Sequence, residues 1–547
     1  MKFLQLLFGL TCFVLISCTP SLDYDVIIRN GNIIDGSGQP RFIGDLAISA
    51  DTIAFIGDLS GKKAIKEIDA NGLVVSPGFI NMLSWATVAL IEDGRSQGDI
   101  RQGVTLEVMG EGSSMGPLSD SMKIEMKENQ VDIKYDVSWT TLGEYLQYLE
   151  DKGVSTNIAS FVGNGTLREY VIGMENRKAT SGEIDQMKSL VREAMEEGAM
   201  GMSTSLLYAP SGYADTEEII ELAKVVSNYN GMYISHIRDE GDSLIEAVNE
   251  LISIAREADL ASEIYHLKAS GDKNWYKLDS VITLVENAQH QGLAVTADIY
   301  TYPASSTGLH VQLPDWVREG GVDATIKRLA DPTLRDNILE EIEWTTPPER
   351  ILLVGFKNEA LRKYIGKYLS EVAEERGVTP QEVMMDLIVE DGSRIQVVYF
   401  SMSEENIAKK VAIPWVSFCS DAGSYTNEGV FIKQSTHPRA YGSFIRVIGK
   451  YARDEGVISL EEGIRKLSAL PAKNLKLKKR GMLKVGNYAD VVVFDPEKVI
   501  DQATFEKPHQ YAVGIIHVFV NGEQVLKDGE HTGATPGRFV KGPGWKE

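Results

Sequence analysis

Eight short apolar runs recur along the middle of this chain, and their recurrence limits the fold more than any other feature. They read LVVSPGFINM, GVTLEVMG, STNIASFVG, GAMGMSTS, GMYISHI, ASEIYHLK, GLAVTADIY and AIPWVSFCSD, from Leu73 to Asp421. Amphipathic segments such as SGEIDQMKSLVREAMEEG and TEEIIELAKVVSNYNG separate several of them. A buried strand followed by an amphipathic helix, repeated, predicts a parallel sheet with crossover helices. Eight repeats predict an α/β fold of the closed (β/α)8 barrel type, here over residues 76–480. Between the seventh and eighth runs, Tyr300 to Val411 is too long for a loop and carries helical text of its own. It predicts an inserted subdomain over about residues 302–414.

The two ends have a different grammar. YDVIIRNGNIIDG and GDLAISADTIAFIGD near the start, and GMLKVGNYADVVVFD and GIIHVFVNGEQVLKDGEHTG near the end, alternate apolar residues between Asn-Gly and Gly-Asp turns. Hairpins are the expectation. A small β-sandwich domain built from residues 24–75 and 481–547 is the economical arrangement. Ahead of it, one positive charge and the apolar run Phe3–Ser17 are too short for a membrane span and suit a signal peptide over residues 1–17. LISC at Leu15–Cys18 resembles a bacterial lipobox. That resemblance implies cleavage before Cys18, lipidation of its thiol and a tether over residues 18–23. The mature protein would then sit at the bacterial cell envelope, facing the periplasm or the exterior, with the lipid as its only membrane contact. Of the three cysteines, only Cys419 is left, so no internal disulfide is expected. A formal net charge of -23 repels phosphate backbones and argues against nucleic-acid partners.

In a (β/α)8 barrel, chemistry gathers at the C-terminal ends of the strands. The fifth run ends at His236, the sixth at His266 and the eighth at Asp421. Adjacent strands lie about 5 Å apart, so two histidines on neighbouring ends can both reach one metal at about 2 Å. The chain has only eight histidines, and two of them fall on consecutive strand ends. His, His and Asp suit zinc with a position left for water.

The segments GMSTSLLYAPSGYA, SHIRDEGD, DIYTYPASSTG, HPRAYGSFIRVIGKY, LPAKNLKLKKRGMLKVGNYADVVVFDP and VNGEQVLKDGEHTGATPGR resemble the amidohydrolase superfamily. Within it, they are most similar to the N-acyl-D-amino-acid deacylases, or D-aminoacylases, over nearly the whole mature chain. The resemblance implies a metal-dependent hydrolase of small amide substrates. In it, His236 and His266 hold the metal and Asp421 moves a proton between water and the leaving amine. It further implies that Arg439, Tyr300 and Ser306 hold a substrate carboxylate, with Tyr208 another pocket residue.

Two departures from that family stand out. Its first strand carries Gly-Phe-Ile-Asp-x-His-x-His, and here Leu83 and Trp85 occupy both histidine places. Neither binds zinc, so the first of two metal positions should be empty or filled by side chains. Its second strand carries a cysteine ligand in Gly-Asn-Cys-Gly, and here VMGEGSSMGP offers Glu111. A carboxylate can replace a thiolate in a zinc shell, which gives an expected one-zinc site of Glu111, His236 and His266. The competing reading pairs Glu111 with Arg238 or Lys268. In the resembling family the first-strand histidines serve the dispensable metal. Three functions therefore stand open: an N-acyl-D-amino-acid deacylase, another amidohydrolase of the dihydroorotase or D-dipeptidase kind, and a metal-free binding protein on the same scaffold.

Overall fold

The computed structural model describes residues 22–546. Residues 1–17, read above as a signal peptide, and Cys18 lie outside the described residues. Eight strands form the barrel: β1 (Phe79–Asn81), β2 (Val104–Met109), β3 (Asn157–Ser160, continued by Val162–Gly163), β4 (Gly201–Ser205), β5 (Met232–His236), β6 (Ala261–Ile264), β7 (Val295–Ile299) and β8 (Val416–Phe418). Every neighbouring pair is parallel. The ring closes where Met82 N donates to Phe418 O at 3.3 Å and Asp421 N donates to Leu83 O at 2.9 Å. The (β/α)8 barrel read from the eight runs is the fold observed.

The helices between strands follow from their sequences. Thr180 and Glu183 form a capping box at the start of Ser181–Glu197, and Gly198, with φ of 112°, ends it in a left-handed turn. Met187, Val191, Ala194 and Met195 fall on one face of that helix and are buried. Asp215 caps Thr216–Asn228, its side chain accepting from Glu218 N.

Both chain ends join one hydrogen-bonded sheet of nine strands beside the barrel. Tyr24–Ile33 pairs with Phe42–Ser49 on one edge. Its other edge is shared, with Ala64–Asp69 along the first half and Val74–Val75 along the second. The sheet branches there and buries Val26, Ile28, Leu46, Ile48, Val491, Val493 and Phe519 in a common core.

Between β7 and β8, three antiparallel strands (Ser305–Gly308, Ile351–Gly355 and Gln396–Tyr399) and several helices surround a separate core. Leu309, Val317, Ile338, Leu353, Val383 and Val397 belong to it. This inserted unit lends Thr307, Gln312, Trp344 and Tyr399 to the wall of a cavity of about 1500 Å³, into which the strand-end residues also face. Among the described residues, no helix is long and apolar enough to cross a membrane.

Candidate metal centre and active site

Glu111, His236 and His266 converge at the cavity floor. Glu111 Oε1 lies 3.1 Å from His236 Nδ1 and 2.8 Å from His266 Nε2, and the two ring nitrogens are 3.0 Å apart. Local backbone geometry brings them there. Gly110 (φ 97°) and Gly112 (φ 63°) flank Glu111, and a Cβ on either would overlap a neighbouring strand: Phe161 O at 2.3 Å, or Ser205 Cβ at 2.2 Å. His266 and Asp421 sit just past their strands at φ of 34° and 49°, a left-handed conformation that L-residues rarely adopt. His266 is held in it by its own N–H, which donates to Asp298 Oδ1 at 2.8 Å. Strain of this kind collects at functional sites.

The donor set fits a divalent metal. Ligands about 2.0–2.1 Å from a tetrahedral zinc stand about 3.3 Å from one another, close to the separations seen here. The electrostatics agree. Burial alone would raise the Glu111 carboxyl, but His266 and His236 beside it hold it well below the usual carboxylate range. Burial and Lys268 push His266 down, yet Glu111 and Glu240 outweigh them and raise it to about 10. A pocket that holds a proton this tightly between buried acceptors is one that favours a cation. His236 Nε2 is buried without a hydrogen-bond partner.

Glu240, which carries no expected role in the sequence, supports this group. Its Oε1 lies 3.1 Å from His266 Nδ1 and 2.6 Å from Lys268 Nζ, and its Oε2 is 4.0 Å from His236 Nε2. Lys268 Nζ, which can only donate, also lies 2.7 Å from His266 Nδ1, so the Glu240–Lys268 pair together borders that nitrogen and orients the ring, leaving Nε2 to face Glu111. The competing partners of Glu111 are thus taken: Lys268 pairs with Glu240, and Arg238 pairs with Glu250 at 2.8 Å. That pairing of Glu111 with Arg238 or Lys268 does not form, because both cations meet nearer carboxylates.

Asp421 and Arg439 form the adjoining wall. Arg439 Nη1 lies 2.7 Å from Asp421 Oδ2 but outside hydrogen-bonding alignment, and its Nε and Nη1 have no hydrogen-bond partner although buried. The guanidinium stacks over the Tyr300 ring, 4.6 Å from its centroid. Its Nη2 donates to Ser306 O at 3.4 Å. Burial raises the Asp421 carboxyl above its ordinary value, against the opposing pull of Arg439 and His266.

Three expected pocket residues have other engagements. Tyr300 OH points to Met402 Sδ at 3.5 Å. Tyr208 OH shares a 2.7 Å hydrogen bond with Thr307 Oγ1 across to the inserted unit. Ser306 lines the cavity, but its hydroxyl donates to Val397 O at 2.8 Å and accepts from Gln396 Nε2 at 2.9 Å. Its hydroxyl is committed to the sheet, and its carbonyl is what meets Arg439.

At the place where the resembling family carries a second histidine, Trp85 faces the cavity. Its Nε1 lies 3.0 Å from Glu111 Oε2 and 3.2 Å from Asp421 Oδ1. Leu83, at the other histidine place, is fully buried in the core.

Comparison with known proteins agrees with this geometry. The Amidohydrolase family pattern matches residues 66–526. A D-aminoacylase of Alcaligenes xylosoxydans xylosoxydans is 34% identical, over 96% of this chain and 99% of that protein. A solved D-aminoacylase, studied for a binuclear metal centre with one-metal activation and second-metal attenuation, is 33% identical. It superposes with a TM-score of 0.79, over 95% of this chain and 100% of that one. An N-acyl-D-glutamate deacylase from Bordetella bronchiseptica was solved with zinc and a phosphonate inhibitor that mimics the tetrahedral intermediate. It is 29% identical with a TM-score of 0.79, over 95% of this chain and 99% of that one. With its barrel, its buried Glu-His-His cluster and an Asp and an Arg at the cavity wall, this chain belongs to the amidohydrolase family, in the N-acyl-D-amino-acid deacylase branch, as an enzyme acting on amide C–N bonds.

Proposed function

We propose that this enzyme removes the N-acyl group from a D-amino acid, with one zinc ion held by Glu111, His236 and His266. The observation that carries this reading is Arg439. A buried guanidinium whose Nε has no partner, stacked on Tyr300 and ion-paired through Nη1 with Asp421, fits an anionic group better than a neutral one. An acylated amino acid supplies that anion as its carboxylate, next to the amide to be cut.

Held by Glu111, His236 and His266, zinc would supply a Lewis acid for the amide carbonyl and lower the pKa of a bound water toward neutrality. The chain's own residues supply the rest. Arg439 grips the carboxylate and fixes the amide in the cavity. Asp421 accepts a proton as water adds to the carbonyl carbon, then returns it to the amine nitrogen as the C–N bond breaks, giving a free acid and an amino acid. The raised Asp421 carboxyl favours the first of these transfers, acceptance of the proton from water. The inserted unit, through Thr307, Gln312 and Trp344, surrounds the acyl or side-chain end. The N-terminal text supports a lipid anchor on Cys18 at the bacterial cell envelope. Cys18→Ser should move the protein from the membrane to the soluble fraction.

The test is release of free amine from paired N-acetyl-D- and N-acetyl-L-amino acids by the zinc-loaded enzyme. Turnover of the D series alone, lost in Asp421→Asn, is expected. Equal or faster turnover of the L series, or of amides lacking a carboxylate, would overturn the substrate assignment.

A further inference from the structure

The polar atom of Trp85 touches both halves of the site. Its indole N–H is a donor and nothing else. It lies between Glu111 Oε2, at 3.0 Å, and Asp421 Oδ1, at 3.2 Å. The other oxygen of each carboxylate is already directed elsewhere. Glu111 Oε1 faces His236 and His266 at 3.1 and 2.8 Å, and Asp421 Oδ2 faces Arg439 at 2.7 Å. Two carboxylate oxygens turned toward one space repel each other unless something positive lies between them. Here the positive end of the indole dipole fills that role.

The two residues before Trp85 supply no side-chain ligand to the same space. Leu83 is fully buried, and its carbonyl accepts from Asp421 N at 2.9 Å. Ser84 turns away, with its hydroxyl donating to Glu107 Oε2 at 2.7 Å. Trp85 is 39% exposed and lines the cavity.

We infer that the Trp85 indole N–H takes the place of a second cation between Glu111 and Asp421, so that the site accepts one metal ion and no more. This rests on the one-zinc reading above and deepens it. Trp85 is then a positioning residue. By holding Oε2, it turns Glu111 so that Oε1 alone faces the histidines. By holding Oδ1, it leaves Asp421 poised between the indole and Arg439.

The experiment is zinc content per chain, measured after incubation with excess zinc and desalting, for the wild-type enzyme, Trp85→Phe and Leu83→His/Trp85→His. Each variant is checked for folding by circular dichroism and is assayed for kcat and KM. The expected result is one ion in the wild type and in Trp85→Phe, and two in the double-histidine variant. Removing one hydrogen bond to a charged group should lower kcat in Trp85→Phe about tenfold or more, with KM changed far less. Two ions in the wild type would overturn this inference and leave the deacylase reading standing, as would an unchanged kcat in Trp85→Phe. No ion in the wild type, together with no amide hydrolysis, would overturn the deacylase reading itself. If the double-histidine variant does not fold, the wild-type count and the Trp85→Phe kinetics still decide the matter.

Discussion

Replacing Glu240 by Gln separates two roles that one carboxylate plays. The change keeps shape and removes charge, so no cavity confuses the outcome. Glu240 Oε1 lies 3.1 Å from His266 Nδ1 and 2.6 Å from Lys268 Nζ. Outer partners of metal-binding histidines are worth about 10- to 100-fold in metal affinity, or about 1.4–2.8 kcal/mol. The second loss is different in kind. Lys268 is only 3% exposed, and without Glu240 its ammonium has no carboxylate partner. Breaking a buried pair costs about 3–5 kcal/mol, and the lower end applies because Glu240 keeps 16% of its surface in water. Glu240→Gln should therefore bind zinc more weakly and unfold more easily. Adding Lys268→Met removes the stranded charge, which should restore stability and leave affinity low. Competition against a chromophoric chelator gives the affinity, and denaturant unfolding of the metal-free protein gives the stability. Zinc affinity within about threefold of wild type in Glu240→Gln would refute the assigned support of His266.

Two further outcomes follow from other residues. Arg439→Met should raise KM for an N-acyl-D-amino acid about 10- to 100-fold, the worth of a charge-assisted hydrogen bond, while zinc content stays the same; steady-state kinetics with elemental analysis checks it. Lys466 is buried, donates to Val411 O and is pushed down to about 7 by burial. Unfolded, it holds its proton up to about pH 10.4. From pH 7 upward the unfolded chain binds more protons at this position than the folded one, so Lys466 adds a contribution that rises with pH. Lys466→Met should flatten that rise, read from unfolding curves between pH 7 and 9.

The barrel was legible because its strands are buried on both faces and read as apolar runs, and because eight such runs leave few other closures. His236, His266 and Asp421 were legible because each ends a run. Glu111 was legible because one ligand-capable side chain replaced another at the same place. Glu240 was not. It lies four residues past His236 in an acidic stretch where Asp239, Glu240 and Asp242 look alike. What singles it out is a turn in which Asp239 Oδ1 accepts from Gly241 N at 2.6 Å and Ser243 N at 3.1 Å. Trp85 read as the loss of a histidine, since sequence shows which atoms a side chain has and not where they point. Its donor role depends on the bend after β1, where Ser84 Oγ accepts from Ala86 N at 3.1 Å. The left-handed backbones of His266 and Asp421 were equally hidden: Asp and His enter that conformation more often than most residues, but the sequence does not show which of them do. Ser306 shows the converse. Its motif was legible, but strand pairing with Gln396–Tyr399 decided where its hydroxyl goes.

In the proposed site Glu111, together with His236 and His266, holds a single zinc. Crystals of the zinc-loaded enzyme, measured on both sides of the zinc absorption edge, test it without reference to any substrate. One anomalous peak per chain is expected, about 2.0–2.2 Å from Glu111 Oε1 and from one ring nitrogen of each histidine. A peak that leaves Glu111 beyond bonding distance, or a second peak between Trp85 and Asp421, would contradict it.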